Sequence, residues 1–178
     1  MKKRFNNIQH KYLPEFVYGG IDGTITTFAV VSGVLGASLS SSIVLILGFA
    51  NLFADGFSMA VSNYLSTKSR NDLHKKLRGI KVNPVKTALV TFISFFIIGF
   101  IPLFSFVLGS LTNSQIIIQN QFYYSITLTF IALGIVGFYK GTVLGKSKIK
   151  SSIQTILIGG IAAALAFIVG YLIKNLFF

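Results

Sequence analysis

The chain has 178 residues, of which 53% are hydrophobic and only 11% charged; its formal net charge is +12 and it contains no cysteine. With a mean hydropathy of +0.74, that composition excludes an ordinary water-soluble domain of this size and places the chain in lipid. The missing cysteines exclude disulfides, thiolate metal ligands and thiol catalysis together.

Crossing a hydrocarbon layer of roughly 30 Å takes about 20 apolar helical residues, and five stretches supply them. The opening MKKRFNNIQHKY is polar and runs straight into a full-length apolar stretch, unlike a cleavable leader. The first span is expected from Pro14 to Ala37 and the second from Ile43 to Leu65. Residues 66–84 form a basic connection, read as an extension of the second helix stopped by Gly79 and by Asn83 before Pro84, where a proline at a helix start loses nothing. The third span, Val85 to Leu108, contains Pro102, which predicts a kink. The fourth runs from Phe122 to Leu144 and the fifth from Ile153 to Ile173. The expected fold is all-α, a single membrane domain over 1–178 built as a bundle of five transmembrane helices.

Charge orients the bundle. Of the 16 basic residues, all but Lys174 precede the first span, lie between the second and third, or flank the turn between the fourth and fifth. Those three places share one side of the membrane, so the N-terminus is expected in the cytoplasm and the C-terminus outside. The same distribution argues against nucleic acid as a partner, because orientation and contact with an anionic lipid surface already account for the charges. Lysine outnumbers arginine 13 to 3, which points to a prokaryotic plasma membrane, with a vacuolar membrane as the alternative.

Glycine recurs at four-residue intervals. Gly19 and Gly23, Gly33 and Ala37, and Gly137, Gly141 and Gly145 put small residues on one face of a helix, where backbones approach closely. Packing within one protomer and packing between two copies both fit this spacing.

Only four acids exist, and two fall where acids are expensive: Asp22 in the first span and Asp55 in the middle of the second. A carboxylate deep in a bilayer costs roughly 2.5 kcal/mol or more, so it is expected to face the bundle interior and serve an ion or proton path. Glu15 and Asp72 fall near the interfaces and carry no such implication. Along the second span Asn51, Asp55, Met59 and Asn63 follow at four-residue steps, a single drifting stripe flanked by Ser58 and Ser62. Carboxylate and amide oxygens suit hard or borderline cations, while the thioether of Met59 favours transition metals over calcium and magnesium.

Counted at ~1.5 Å per residue from the cytoplasmic ends of the two spans, Asp22 lies roughly 12 Å deep, Met59 about 9 Å and Asp55 about 15 Å. Consecutive antiparallel helices therefore bring all three to nearly one level, and Thr24, Thr26 and Thr27 add hydroxyls nearby. The competing reading is that each acid bonds its neighbours and locks the fold. Enzyme readings lack their residues: His10 and His74 lie outside the spans, and HExxH, a P-loop and GxGxxG are all missing.

The stretch from Tyr18 to Asp72 resembles the vacuolar iron transporter family, divalent iron and manganese exporters. The resemblance rests on the DG of the first span with its TFAVVSGVLGA, the SM of the second span with the YLSTKS that ends it, and the NPVKTAL opening the third. It implies a homodimer with a metal path along its axis, lined by the first two helices of each subunit, and exchange of the cation for protons. In that frame Asp22 and Met59 match the family's metal ligands; the polar stripe of the second span adds Asp55 and Asn51 as candidate ligands, with Ser58, Ser62, Asn63 and Thr26 as candidates to line the path. Better-studied members often carry an acid at the position of Asn51 and a small residue at that of Asp55, as though the carboxylate had moved one helical turn. Many also insert a soluble glutamate-rich metal-binding domain where this chain has only its basic connection. The expectation is a non-enzymatic exporter of Fe2+ or Mn2+, carried as substrate with no permanently bound cofactor. A non-transporting membrane interaction protein and a passive cation channel are the alternatives.

Overall fold

The computed structural model describes residues 2–77, 82–112 and 114–177. Among them, helix α1 spans Lys2–Gly36, α2 Ser41–Leu77, α3 Pro84–Gly99, α4 Phe104–Thr112, α5 Gln115–Val143 and α6 Lys148–Phe177, with a 3-10 turn at Ile101–Leu103 between α3 and α4. Taking α3, the turn and α4 as one crossing, five segments are long and apolar enough to cross a membrane. The helices outrun the spans read from hydropathy. α1 passes through Pro14 and α2 continues to Leu77, because hydropathy marks where lipid begins, not where backbone hydrogen bonding ends. The expected stop at Gly79 lies outside the described residues.

Local chemistry accounts for the breaks. Asn83 caps α3 with its side chain accepting from the backbone of Val85 and Lys86 at 3.0 and 3.2 Å, and Pro84 follows where its missing N–H costs nothing. Pro102 does more than kink its span: α3 ends at Gly99 and resumes as α4 only after the 3-10 turn. Proline cannot donate to the carbonyl four residues before it, that of Ile98. The Thr24 hydroxyl reaches that carbonyl at 3.4 Å while also donating to Gly20 O at 2.8 Å. The Ser125 hydroxyl donates to Pro102 O at 2.6 Å from α5.

Two helix ends close alike with different residues. After α1, Leu39 N–H donates to Val34 O and Ser38 N–H to Leu35 O, with Ser38 at φ 54°, a left-handed C-cap. After α5, Lys146 N–H donates to Gly141 O around Gly145 at φ 62°. Gly145 therefore leaves the packing stripe in which its spacing placed it: a Cβ there would meet nothing within 4 Å.

The remaining glycines pack the protomer internally. Gly19 and Gly23 seat α1 on Thr91, Ser94 and Phe95 of α3, and a Cβ at Gly99 would lie 2.8 Å from Gly23 O. Gly33 seats α1 on Ala166 of α6, and Gly137 and Gly141 seat α5 on Ser151, Ser152 and Lys148 at the start of α6. Phe28, Val31, Leu52, Phe95, Leu103 and Phe106 fill the core between them. With its rear faces committed to α3 and α6, α1 has one side left for α2, and that side carries Asp22.

Candidate functional site

α1 and α2 are antiparallel neighbours, and their polar residues meet in a fixed register. At the outer level the Asn51 amide of α2 donates to the hydroxyls of Thr26 and Thr27 of α1, at 3.4 and 3.5 Å. Four residues on along α2 and four back along α1, the same register sets Asp55 opposite Asp22. A further step in each direction brings Met59 and Tyr18 together in the wall of one groove. Each turn down α2 is thus matched by a turn back along α1, the relation that equal rise per residue imposes on antiparallel helices.

The groove, of about 300 Å³, is lined by Tyr18, Ser58, Met59, Ser62, Asn63 and Ser66. Ser58, Ser62 and Ser66 are exposed, while Asp22, Asn51, Asp55, Met59 and Asn63 are half-buried. The stripe expected inside a bundle therefore opens on the outer surface of a single protomer. Polar groups at that depth cannot face lipid tails without a partner, since hydrocarbon offers them no hydrogen bond.

Two of the expected residues have partners that also serve the fold. Asn63 donates its amide to Thr91 of α3 at 2.6 Å. Thr26, besides accepting from Asn51, donates to Asp22 O at 2.8 Å. These bonds set the relative rotation of α1, α2 and α3 and so aim the two carboxylates. Among the described residues no group of three or more His, Cys, Asp or Glu side chains comes together. The seam thus offers two carboxylates, a thioether and neutral oxygens, a mixed donor set of the kind a borderline divalent cation takes.

Three residues escaped the sequence reading. Tyr18 and Ser66 line the groove. Both were findable by extending the four-residue step, from Asp22 back to Tyr18 and from Ser62 on to Ser66. Glu15, expected near the interface, is only 9% exposed, and its Oε2 is buried with no hydrogen-bond partner among the described residues. It stands one turn before Gly19, which packs on α3, and the hydropathy of α1 does not report what a neighbouring helix covers. Asp72, by contrast, is exposed.

The profile of the VIT family matches residues 13–81 and 75–171. A vacuolar iron transporter of Plasmodium berghei is 26% identical, over 96% of this chain and 85% of its own length. One from Toxoplasma gondii is 25% identical over 97% and 78%, and vacuolar iron transporter 1 of Arabidopsis thaliana 24% over 90% and 86%. The two profile segments overlap at 75–81, from the last turn of α2 onward. The alignment to the Plasmodium protein runs over 232 residues against 178 here, so that relative carries residues this chain lacks.

Proposed function

The chain belongs to the VIT family, and from that premise we propose that it carries a divalent transition metal, ferrous iron or manganese, out of the cytoplasm in exchange for protons. The relatives' names as vacuolar iron transporters support metal as the cargo. The observation that carries the site is the register of α1 and α2, which lines up Asn51 with Thr26, Asp55 with Asp22 and Met59 with Tyr18 along one outward seam.

In this reading the ion enters the groove between Tyr18 and Ser62 and is held by Asp22, Asp55 and Met59, with Asn51 at the outer limit of the site. The carboxylates supply charge, and the thioether tilts selectivity toward borderline metals. A second copy presenting the same seam completes the ligand shell and removes the polar stripe from lipid, so the working unit is a homodimer. The N-terminus faces the cytoplasm, as the basic residues of the first, third and fifth polar segments require. The bonded amides of Asn51 and Asn63 favour a structural role for those two residues, and the transport reading rests on the acids and Met59.

The test is metal flux in proteoliposomes under a pH gradient. Asp22→Asn and Met59→Ala should each slow uptake of iron and manganese at least about tenfold. Uptake at the wild-type rate in both variants would overturn the site. Wild-type flux that ignores the gradient would indicate a passive channel, and no flux at all a non-transporting interaction protein.

A further inference from the structure

Glu15 plays no part in the metal seam, yet it is the most enclosed acid whose surroundings are described. Its side chain is 9% exposed and its Oε2 has no hydrogen-bond partner among the described residues. Enclosing a polar atom without a hydrogen-bond partner is costly, so the position calls for an explanation that packing alone does not give.

The α1–α3 contact defines its surroundings. Glu15 stands one turn before Gly19 and two turns before Asp22, at the border between the α3-facing side of α1 and the side that carries Asp22. The two helices run in the same direction, Gly19 against Thr91 and Ser94 and Gly23 against Phe95, so the preceding turn of α3 brings Thr87 to the level of Glu15. Thr67, Thr87, Thr91 and Ser94 are all buried. The Thr87 hydroxyl donates to Thr67 at 3.2 Å, and Thr91 accepts from Asn63, itself a wall of the metal groove. A row of hydroxyl and amide groups thus leads from the groove into the protomer and ends at the level of Glu15. Among the described side chains, the charged or titratable groups at the same end are Tyr12 and Tyr18 on α1, Tyr64, Lys68, Arg70 and Asp72 on α2, Lys86 on α3, Tyr139 and Lys140 on α5, Lys146 in the turn that follows, and Lys148 and Lys150 on α6. None is a partner of Oε2; all but the half-buried Tyr12, Tyr64 and Lys140 are exposed, and Lys148 lies over the Phe138 ring.

We propose that Glu15 carries the exchanged proton, at a site separate from the metal. The inference rests on the proton-exchange reading above. Seven residues separate Glu15 from Asp22, ~10 Å along the helix: too far to share an ion, yet near enough in a low-dielectric interior for a divalent charge at Asp22 and Asp55 and a proton at Glu15 to disfavour each other. With the site open to the cytoplasm, an arriving metal drives the proton from Oε2 to water at that end, breaking one O–H bond. With the site open to the other side, a proton from that side re-forms the O–H bond and helps the metal leave. The step needs no oxidant or reductant, and mutual exclusion of the two cations is what couples their opposite movements.

Glu15→Gln removes the proton exchange and keeps the shape. In proteoliposomes it should lower pH-gradient-driven accumulation of manganese at least about tenfold. Manganese-for-manganese counterflow, which moves no net proton, should fall by less than about threefold, which also shows that the variant is folded. Glu15→Asp should recover part of the gradient-driven accumulation. Gradient-driven accumulation near the wild-type level in Glu15→Gln would overturn the proposal, as would a parallel loss of counterflow. Wild-type uptake that does not respond to the gradient would instead overturn the exchange reading beneath it, leaving metal binding at the seam untouched.

Discussion

α2 and α6 both lie on the outside of the protomer, and their outward faces could hardly differ more. From Leu157 to Val169 every exposed residue of α6 is apolar: Leu157, Ile158, Ile161, Ala164, Leu165, Phe167, Ile168 and Val169. The outward side of α2 divides lengthwise. Phe53, Phe57 and Val61 are exposed along one flank. Ser58, Ser62 and Ser66 are exposed along the other, beside half-buried Asp55 and Met59. Exposure of a membrane helix therefore does not by itself mean contact with lipid. A face whose every residue lipid can solvate needs no further cover, whereas one bearing a carboxylate and three hydroxyls needs water, an ion or a protein partner.

Substitutions can erase or sharpen that contrast. Asp55→Leu makes the α2 seam resemble α6, and manganese uptake in proteoliposomes should drop at least about 100-fold; a variant retaining more than about a tenth of the wild-type rate would contradict a role for that carboxylate in transport. The reverse change, Ile161→Asp, puts an acid on the lipid side of α6 at a cost of about 2.5–3.5 kcal/mol. It should show as a loss of folded, membrane-inserted protein with no gain in transport. On the rear of α1, Gly23→Leu forces a side chain into the Phe95 backbone. Thermal unfolding in detergent should report about 1–3 kcal/mol of destabilisation, separating the packing face of α1 from its functional face. Smallest is Thr24→Val, which removes the hydroxyl bridging Gly20 O and Ile98 O; about 1 kcal/mol should be lost, with flux within about twofold of wild type.

Much of this was legible in the chain because the controlling interactions are local. Hydropathy located the five crossings, Asn83 before Pro84 marked the start of α3, and Pro102 marked the interruption in the third crossing. Counting rise per residue put Asp22, Asp55 and Met59 at nearly one level, whereas the register of α1 and α2 sets Met59 a turn away beside Tyr18. Properties that depend on a distant neighbour were hidden. Glu15 is buried one turn before the glycines that seat α1 on α3, and the α1 sequence alone does not say that a neighbour encloses that residue. Gly145 keeps the spacing of Gly137 and Gly141, but its positive φ ends the helix instead of joining the packed face. The stripe of α2 was legible as polar, yet its opening onto the protomer surface followed only from the placement of α3 and α6 around α1.

Because the chain contains no cysteine, a single introduced thiol reports on one position alone. Ser62→Cys and Ile161→Cys, each in membranes treated with a water-soluble thiol reagent, compare the two outward faces in one experiment. The thiol at position 62 should react readily and be slowed by manganese, while that at 161 should stay unreactive with or without the metal. Equal reactivity at both positions, or labelling at 62 that manganese leaves unchanged, would contradict a metal path along α2.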